Sequence, residues 1–546
     1  MPDDSRGPPA KRDDAARAAS HHDAAPQYLP AVPRKLTLAE RADMPCNDRA
    51  NALRLFHAHG ERLLYVHGRG WGVWDGCRFD FSQGEIDVVE LTECLEAMAK
   101  EEAEELEARQ GHDAKKARLA DAVRMGNLPT ATRALARLKG KVDADMAALD
   151  AEPLHLVTPN GTVDLFAAYR WERPEGCTDE EEAAARAAWL ISTDRSTRPT
   201  RVTGAAYDAA ADCPGWRAFL ELVMPDAKER AALQRLLGYC LSGDNPEAAC
   251  IVLRGPGGNG KSTLLTTLRH VLGQRHGYAE GCNIEMFIQT PPRPQNAHNS
   301  DEIDLPGARI YIATEPDARD VLDMKKVKSL TGGDVRKSRG AYEKASFAWV
   351  PRGVPILAVN RTPKLKDGDA GTRRRLIFVP LEVNLKELPP EKRRPAYEVE
   401  AELRGEASGI LNWLVDGWRD YKAQGLALPE KWLALRDELL LGADPVARFL
   451  GEMTETAEDG RVLRSEFNAV FATWAVEEGA AAWSSKAVGE GMTELGRKAR
   501  KIGGIHYYLG LRWTEGAMQT VERVRAQTPA RPATEPAADG DQPPPF

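Results

Sequence analysis

The sequence predicts a multidomain α/β protein built around a phosphate-loop domain with a parallel sheet, an α-rich region before it and a small domain after it. Three observations carry that prediction. The segment Gly255-Pro-Gly-Gly-Asn-Gly-Lys-Ser262 is a complete phosphate-binding loop. It follows the apolar run Ala249-Cys-Ile-Val-Leu253, which reads as a buried strand, and it opens a stretch to Leu272 with Leu264, Leu265, Leu268 and Leu272 at helical spacing. Helix-like and strand-like segments then alternate to about Glu382, the pattern of a sheet whose parallel strands are joined by crossovers.

The chain has 546 residues, enough for three or four domains of ordinary size. Residues 1 to 45 lack periodicity and 521 to 546 are rich in proline, so both ends are expected to be disordered tails. Residues 46 to 204 are expected to form an α-rich domain. It opens with the aromatic, strand-like patch Leu63 to Gly76 and continues in charged helices from Val88 to Leu149. The acidic run Lys100 to Glu107 reads as a solvated helix face. The phosphate-loop domain is placed at 205–385, a helical connector at 386–441, and a last small domain at 442–520.

A net charge of −8 excludes a uniformly basic coat, so contact with nucleic acid requires a local basic surface. The eight cysteines form no Cys-x-x-Cys pair, which argues against a zinc module and a disulfide framework. No apolar leader and no long apolar run is present, so a cytoplasmic protein without a membrane span is expected.

In the nucleotide-binding loop, which runs Gly255, Pro256, Gly257, Gly258, Asn259 and Gly260, the glycines let backbone N–H groups turn toward the phosphates of a nucleotide. Lys261 adds a mobile charge, Ser262 can hold Mg²⁺ through its hydroxyl, and Thr263 follows on the helix. The cofactors implied are ATP and Mg²⁺. Hydrolysis needs an acid near the metal and the attacking water. The strand-like Arg309-Ile-Tyr-Ile-Ala-Thr-Glu315 delivers Glu315 to the carboxyl edge of the sheet, with Asp317 close behind. A second buried strand, Pro355-Ile-Leu-Ala-Val-Asn360, ends in Asn360, a polar amide suited to orienting water or sensing the terminal phosphate. Three arginines ending in Arg374 and Arg375 precede the apolar strand Leu376 to Pro380. A guanidinium offered from a neighbouring subunit would stabilise charge on the transferred phosphoryl group.

Between these strands, residues 325 to 344 hold seven basic side chains (325, 326, 328, 336, 337, 339 and 344) against two acidic ones (334 and 343). With Tyr342 among them, Lys328, Lys337, Arg339 and Lys344 suit a hairpin that tracks single-stranded DNA by phosphate contacts and one stacked base.

The ordered set of Gly255 to Ser262, Glu315, Lys328 with Leu330-Thr-Gly-Gly-Asp334 and Arg339, Asn360-Arg-Thr-Pro363, and the arginines before Leu376 resembles the superfamily 3 helicases. The nearest resemblance is to the phage and plasmid type of DNA primase-helicase, with its poxviral relatives. Upstream, Gly70-Trp-Gly-Val-Trp-Asp-Gly76, Thr158-Pro-Asn-Gly-Thr-Val-Asp-Leu165 and Ala211-Asp-Cys-Pro-Gly-Trp-Arg-Ala-Phe-Leu220 look like the domain that precedes the helicase in that family. The resemblance implies an AAA+-like ATPase core assembled as a ring, usually a hexamer, that moves 3′ to 5′ on single-stranded DNA in replication. Lys261 and Ser262 would hold phosphate and Mg²⁺, Glu315 the metal and water, Asn360 the γ-phosphate, and Arg374 or Arg375 would be the finger. The family often pairs two acids where Pro316 here separates Glu315 from Asp317.

The last domain, from Asp444 to Thr514, resembles a DNA-binding winged helix of three helices and a short hairpin. Residues 1 to 45 offer no buried strand for metal-binding carboxylates, so a helicase without its own primase is expected, with priming from a separate partner. A phosphate-loop kinase and a nucleotide-gated DNA-binding scaffold are the competing readings. Neither Asn360 nor the arginine cluster is needed by a kinase.

Overall fold

The structure is a computed structural model and describes residues 34–290, 302–314, 320–339, 346–361, 364–365, 370–441, 445–478 and 483–527. Glu315, Asp317, Tyr342 and Lys344 lie outside the described residues. The chain divides into two compact units: Met1–Asp317 with Lys325–Thr362 and Arg375–Trp432, and Ala318–Met324 with Pro363–Arg374 and Leu433–Phe546.

The first unit opens on the short helix Leu38–Ala42, inside the stretch expected to be a tail and started by a capping box of Thr37 with Glu40, and continues in helix Asp48–His59, where the Asn47 side chain accepts from Ala50 N at 2.9 Å. The expected aromatic patch is a three-stranded antiparallel sheet of Leu63–Val66, Gly70–Trp74 and Phe79–Asp80. The charged helices follow as Cys94–Gln110, His112–Met125 and Leu128–Leu138. Leu55, Trp71, Leu95, Ala99, Met125 and Leu138 share one core. Beside it Glu102, with no exposed surface, accepts two hydrogen bonds from Arg54 at 2.8 Å and one from Arg118. The region is less helical than its charge pattern suggests, because His155–Thr158, Gly161–Asp164 and Leu190–Ile191 form a second antiparallel sheet.

The centre of this unit is a five-stranded, all-parallel sheet. Across it run Leu376–Pro380, Cys250–Arg254, Val354–Val359, Ile310–Thr314 and Ala279–Gly281. Numbered along the chain, that order is 5-1-4-3-2. The four expected strands are thus present as one sheet, each as an apolar run buried on both faces, as parallel sheets require. Leu253, Ile312, Ile356 and Val379 pack with residues of helices Ala227–Tyr239, Lys261–Leu272 and Ala407–Gln424.

Two buried arginines tie the amino-terminal segments to the sheet. Arg201 donates to Gly277 O at 3.1 Å, Glu280 Oε2 at 3.0 Å and Pro306 O at 2.7 Å. Arg309, at the entry to strand Ile310–Thr314, donates to the carbonyls of Leu241 and His155.

In the second unit, helices Pro445–Met453, Arg464–Glu477 and Ser485–Glu494 surround Phe449, Phe467, Phe471, Trp474 and Tyr508. Three helices and a hairpin are expected there. The hairpin, Arg500–Ile502 with Ile505–Trp513, is joined by a further strand of 10 residues, Thr454–Leu463, which pairs with Ile505–Trp513. A fourth helix, Met518–Gln527, runs into the stretch expected to be a tail, because Val521 and Val524 are buried in the same core. A two-residue parallel pair, Val321–Leu322 with Lys364–Leu365, also belongs to this unit.

Candidate nucleotide site

The phosphate loop leaves the carboxyl end of strand Cys250–Arg254 and enters helix Lys261–Leu272 through Gly260, whose φ is +83°. A side chain there is excluded twice. The backbone is left-handed, and a Cβ would lie 2.7 Å from Val223 Cγ1 and 3.1 Å from Phe219 Cζ. Helix Pro214–Val223 is therefore the floor of the loop. At Gly255 a Cβ would collide with Asn259 Nδ2 and the Leu381 carbonyl. Asn259 is buried and donates to Leu381 O at 2.6 Å, which anchors the middle of the loop to the end of strand Leu376–Pro380.

Lys261 is only 7 % exposed, and its ammonium donates to Gly255 O at 2.6 Å, Asn259 Oδ1 at 3.0 Å and Pro256 O at 3.4 Å. Burial pushes its pKa down from the ordinary lysine value. Pro256, Gly257 and Gly258 are exposed, Ser262 is exposed at the helix start, and Thr263 is buried. The loop thus offers a helix amino terminus, a reachable hydroxyl and a half-desolvated ammonium at one point, the elements of an anion site.

Sheet register decides which other candidates come close. Strand Val354–Val359 is hydrogen-bonded to the phosphate-loop strand on one side and to Ile310–Thr314 on the other. Val359 pairs with Arg254 and accepts from Gly255 N at 3.3 Å, so Asn360 emerges beside the loop, with an exposed side chain. Thr314, the last described residue before Glu315, pairs with Ala358.

Arg375 is placed at the other edge. It immediately precedes Leu376, which pairs with Cys250 at the amino end of the phosphate-loop strand. The five-residue strand separates it from the loop of its own chain by roughly 16 Å, at about 3.3 Å per residue. Arg374 is exposed, and Arg373 lies 4.0 Å from Asp437.

Only the second half of the basic stretch forms the expected hairpin, Arg336–Ser338 pairing antiparallel with Phe347–Trp349; Lys325, Lys326 and Lys328 lie instead on helix Met324–Thr331. Two of the stretch's cations are taken up internally, however. Lys326 donates to Glu285 O and Ile288 O, both at 2.8 Å, and to Thr290 Oγ1 at 3.0 Å. Arg336 pairs with the buried Glu302 and donates to Ser329 Oγ at 2.9 Å. Lys337 is exposed, Lys328 and Arg339 are half-buried, and Tyr342 and Lys344 lie outside the described residues.

One neighbour of the loop carries no sequence signal. Leu385 N donates to Gly258 O at 2.8 Å, which lays Asn384–Lys386 against the loop. A Cβ on Gly258 would lie 3.3 Å from Lys386 Cε. Lys386 was assigned only to a connector, and a lone lysine after a strand says nothing about its target. Among the described residues, no group of three or more His, Cys, Asp or Glu is placed to hold a metal ion. No helix among them is long and apolar enough to cross a membrane.

Comparison with known proteins adds a family for part of the chain. Residues 52–225 match the family described as "D5 N terminal like". Over 163 residues the chain is 34% identical to an Acanthamoeba polyphaga mimivirus protein named "Putative helicase L207/L206". The aligned part is 30% of this chain and 16% of that protein, so this chain spans well under two thirds of its relative. Among solved structures, the A form apo structure of the NrS-1 C-terminal region aligns at 13% identity and a TM-score of 0.32, covering 56% of this chain and 80% of that one. A second apo structure of that region aligns at 12% and 0.32, covering 56% and 80%. The stretch that matches the D5 N-terminal-like family ends just after helix Pro214–Val223, which forms the floor of the phosphate loop.

Proposed function

We propose that this chain is an ATP-dependent DNA helicase of the superfamily 3 type, acting in replication as a ring on single-stranded DNA. The observation that carries the reading is the adjacency of the phosphate loop, Asn360 and the strand leading to Glu315 at one edge of a 5-1-4-3-2 parallel sheet. The match to the D5 N-terminal-like family immediately before that sheet, and the likeness to a protein named as a helicase, support the same reading.

In this reading the loop N–H groups and Lys261 bind the phosphates, and Asn360 orients the attacking water or reads the γ-phosphate. The exposed hydroxyl of Ser262 fits a Mg²⁺ ligand and Glu315 is its partner; the ion would neutralise phosphate charge. Lys386 is a second cation for the phosphates. Arg375 sits about one strand length from its own loop, so the finger role, for it or for the exposed Arg374, calls for a neighbouring subunit. That requirement is the argument for a ring, of six subunits by the resemblance. Lys337 and its neighbours on the hairpin Arg336–Trp349 would follow the strand.

The test is ATP hydrolysis by wild type and Lys261→Ala, with and without single-stranded DNA, with oligomeric state measured in the same sample. Stimulation by DNA in an assembled ring, lost in the variant, supports a motor. Hydrolysis that is absent or indifferent to DNA in an assembled ring moves the scaffold reading ahead.

A further inference from the structure

The last domain has two surfaces on which a winged helix can meet DNA, and the charges are on one of them. From Leu495 to Thr514 the chain carries five Lys or Arg (497, 498, 500, 501 and 512), His506 and no acid, inside a protein of net charge −8. Arg512 is held by Glu455 at 2.5 Å and Arg497 lies 3.5 Å from Thr456. Lys498, Arg500 and Lys501 remain as exposed cations on the hairpin and its approach. Helix Ser485–Glu494, which stands where a recognition helix would, is different. It holds one lysine against two glutamates, and Lys486 lies 3.8 Å from Glu490. Among its other described side chains Ser485 and Thr493 are exposed, and Val488 and Met492 are buried in the core. Such a face has no net positive charge and offers phosphates one lysine beside a glutamate and a few hydroxyls.

The hairpin tip is shaped as well as charged. Ile502 pairs with Ile505 across Gly503 and Gly504, whose φ values of +55° and +84° give a two-residue turn with both central residues left-handed. The apex is therefore bare backbone, flanked by two isoleucines that are 44% and 49% exposed. Behind them come Lys501 paired with His506 and Arg500 paired with Tyr507. Tyr508 is the first residue of the returning strand to enter the core, so three residue pairs project, about 10 Å at roughly 3.4 Å per residue. The two isoleucines give the end of the basic ribbon a small apolar tip. They suit a wedge that enters the minor groove, about 6 Å wide, and parts a base step.

We infer that this hairpin, not the helix before it, is the duplex-DNA contact of the last domain: Lys498, Arg500 and Lys501 lie on phosphates, and Ile502 and Ile505 wedge the minor groove. The inference rests on the proposed function only in taking DNA as the polymer. Duplex binding by the full chain is measured without nucleotide by fluorescence anisotropy over a salt series, using a 30-base-pair duplex with donor and acceptor dyes at its ends. Lys498→Ala/Arg500→Ala/Lys501→Ala is expected to bind at least tenfold more weakly, with the log–log salt slope reduced by about two to three, near one per phosphate contact. Ile502→Ala/Ile505→Ala is expected to keep the salt slope, bind more weakly and lose the energy-transfer gain that reports bending. Lys486→Ala/Glu490→Ala is expected to bind as wild type. A triple variant with unchanged affinity and slope, or a helix variant that loses binding while the hairpin variants keep it, overturns the assignment. Unchanged affinity and bending in the isoleucine variant overturns the wedge. Stimulation of ATP hydrolysis by single strands, followed in the same preparations, reports on the motor separately and is expected to be intact in all of them.

Discussion

Replacing Lys261 with alanine separates a binding role from a structural one. In the structure its ammonium already has three acceptors, Gly255 O at 2.6 Å, Asn259 Oδ1 at 3.0 Å and Pro256 O at 3.4 Å. A bound phosphate must compete with these oxygens, so nucleotide binding exchanges neutral acceptors for charged ones. A hydrogen bond to a charged group contributes about 1.5–3 kcal/mol, so losing the phosphate contact should weaken nucleotide binding roughly 10- to 150-fold. The structural loss is smaller. The acceptors border the exposed Pro256, Gly257 and Gly258, where water can replace the ammonium, and about 1 kcal/mol of stability is at stake. The assay is a fluorescent-ATP titration of both proteins, beside thermal unfolding without nucleotide. Equal nucleotide affinity in the two would refute the phosphate role. A stability loss of several kcal/mol with the same drop in affinity would mean that the lysine is chiefly a clasp for the loop.

Three further outcomes follow from other contacts. Lys386→Ala, at an exposed site beside Gly258, should raise the Kd for ATP about tenfold and leave that for adenosine unchanged, which a competition titration resolves. Glu102→Gln leaves the buried guanidiniums of Arg54 and Arg118 without their carboxylate. It should cost about 3–5 kcal/mol, seen as early hydrogen exchange of helices Asp48–His59 and His112–Met125; a change under about 1 kcal/mol would contradict this account. For Glu466, burial alone would raise the pKa, but hydrogen bonds from Arg525 at 2.8 Å and Trp513 Nε1 at 2.7 Å outweigh it and hold the carboxyl below its usual value. A carboxylate depressed in the folded state stabilises above its unfolded pKa of about 4.3 and loses that contribution as pH falls through the lower folded value. Protection of residues 445–527 against hydrogen exchange, taken relative to the intrinsic rate at each pH, should therefore fall on acidification below pH of about 4.3, and Arg525→Ala should flatten that dependence.

The parts of this protein legible in the sequence are those fixed by a few neighbouring residues. Strand Leu376–Pro380 is five apolar positions in a row, and the loop from Gly255 to Ser262 is a local backbone pattern, so both were readable directly. The basic stretch from 325 to 344 was readable as a cluster of charge, but its separate duties, and its division between helix Met324–Thr331 and strand Arg336–Ser338, were not. Lys326 and Arg336 spend their charge on Ile288, Thr290 and Glu302, residues some 34 to 38 positions away, and a count of basic residues has no access to such partners. The extra strand Thr454–Leu463 escaped for a related reason: its exposed, charged positions alternate with few apolar ones, and its pairing with Ile505–Trp513 defines it.

By itself, then, the sequence determined that a parallel-sheet phosphate-loop domain exists and which strand ends carry polar groups, because apolar periodicity and glycine backbone freedom act over a handful of residues. Tertiary structure alone decided the 5-1-4-3-2 order that sets Asn360 beside the loop and Arg375 at the far edge, the floor made by Phe219 and Val223, and the approach of Lys386 to Gly258. Those are contacts between segments distant along the chain. They are settled by which buried surfaces pack together, and no local pattern encodes that choice.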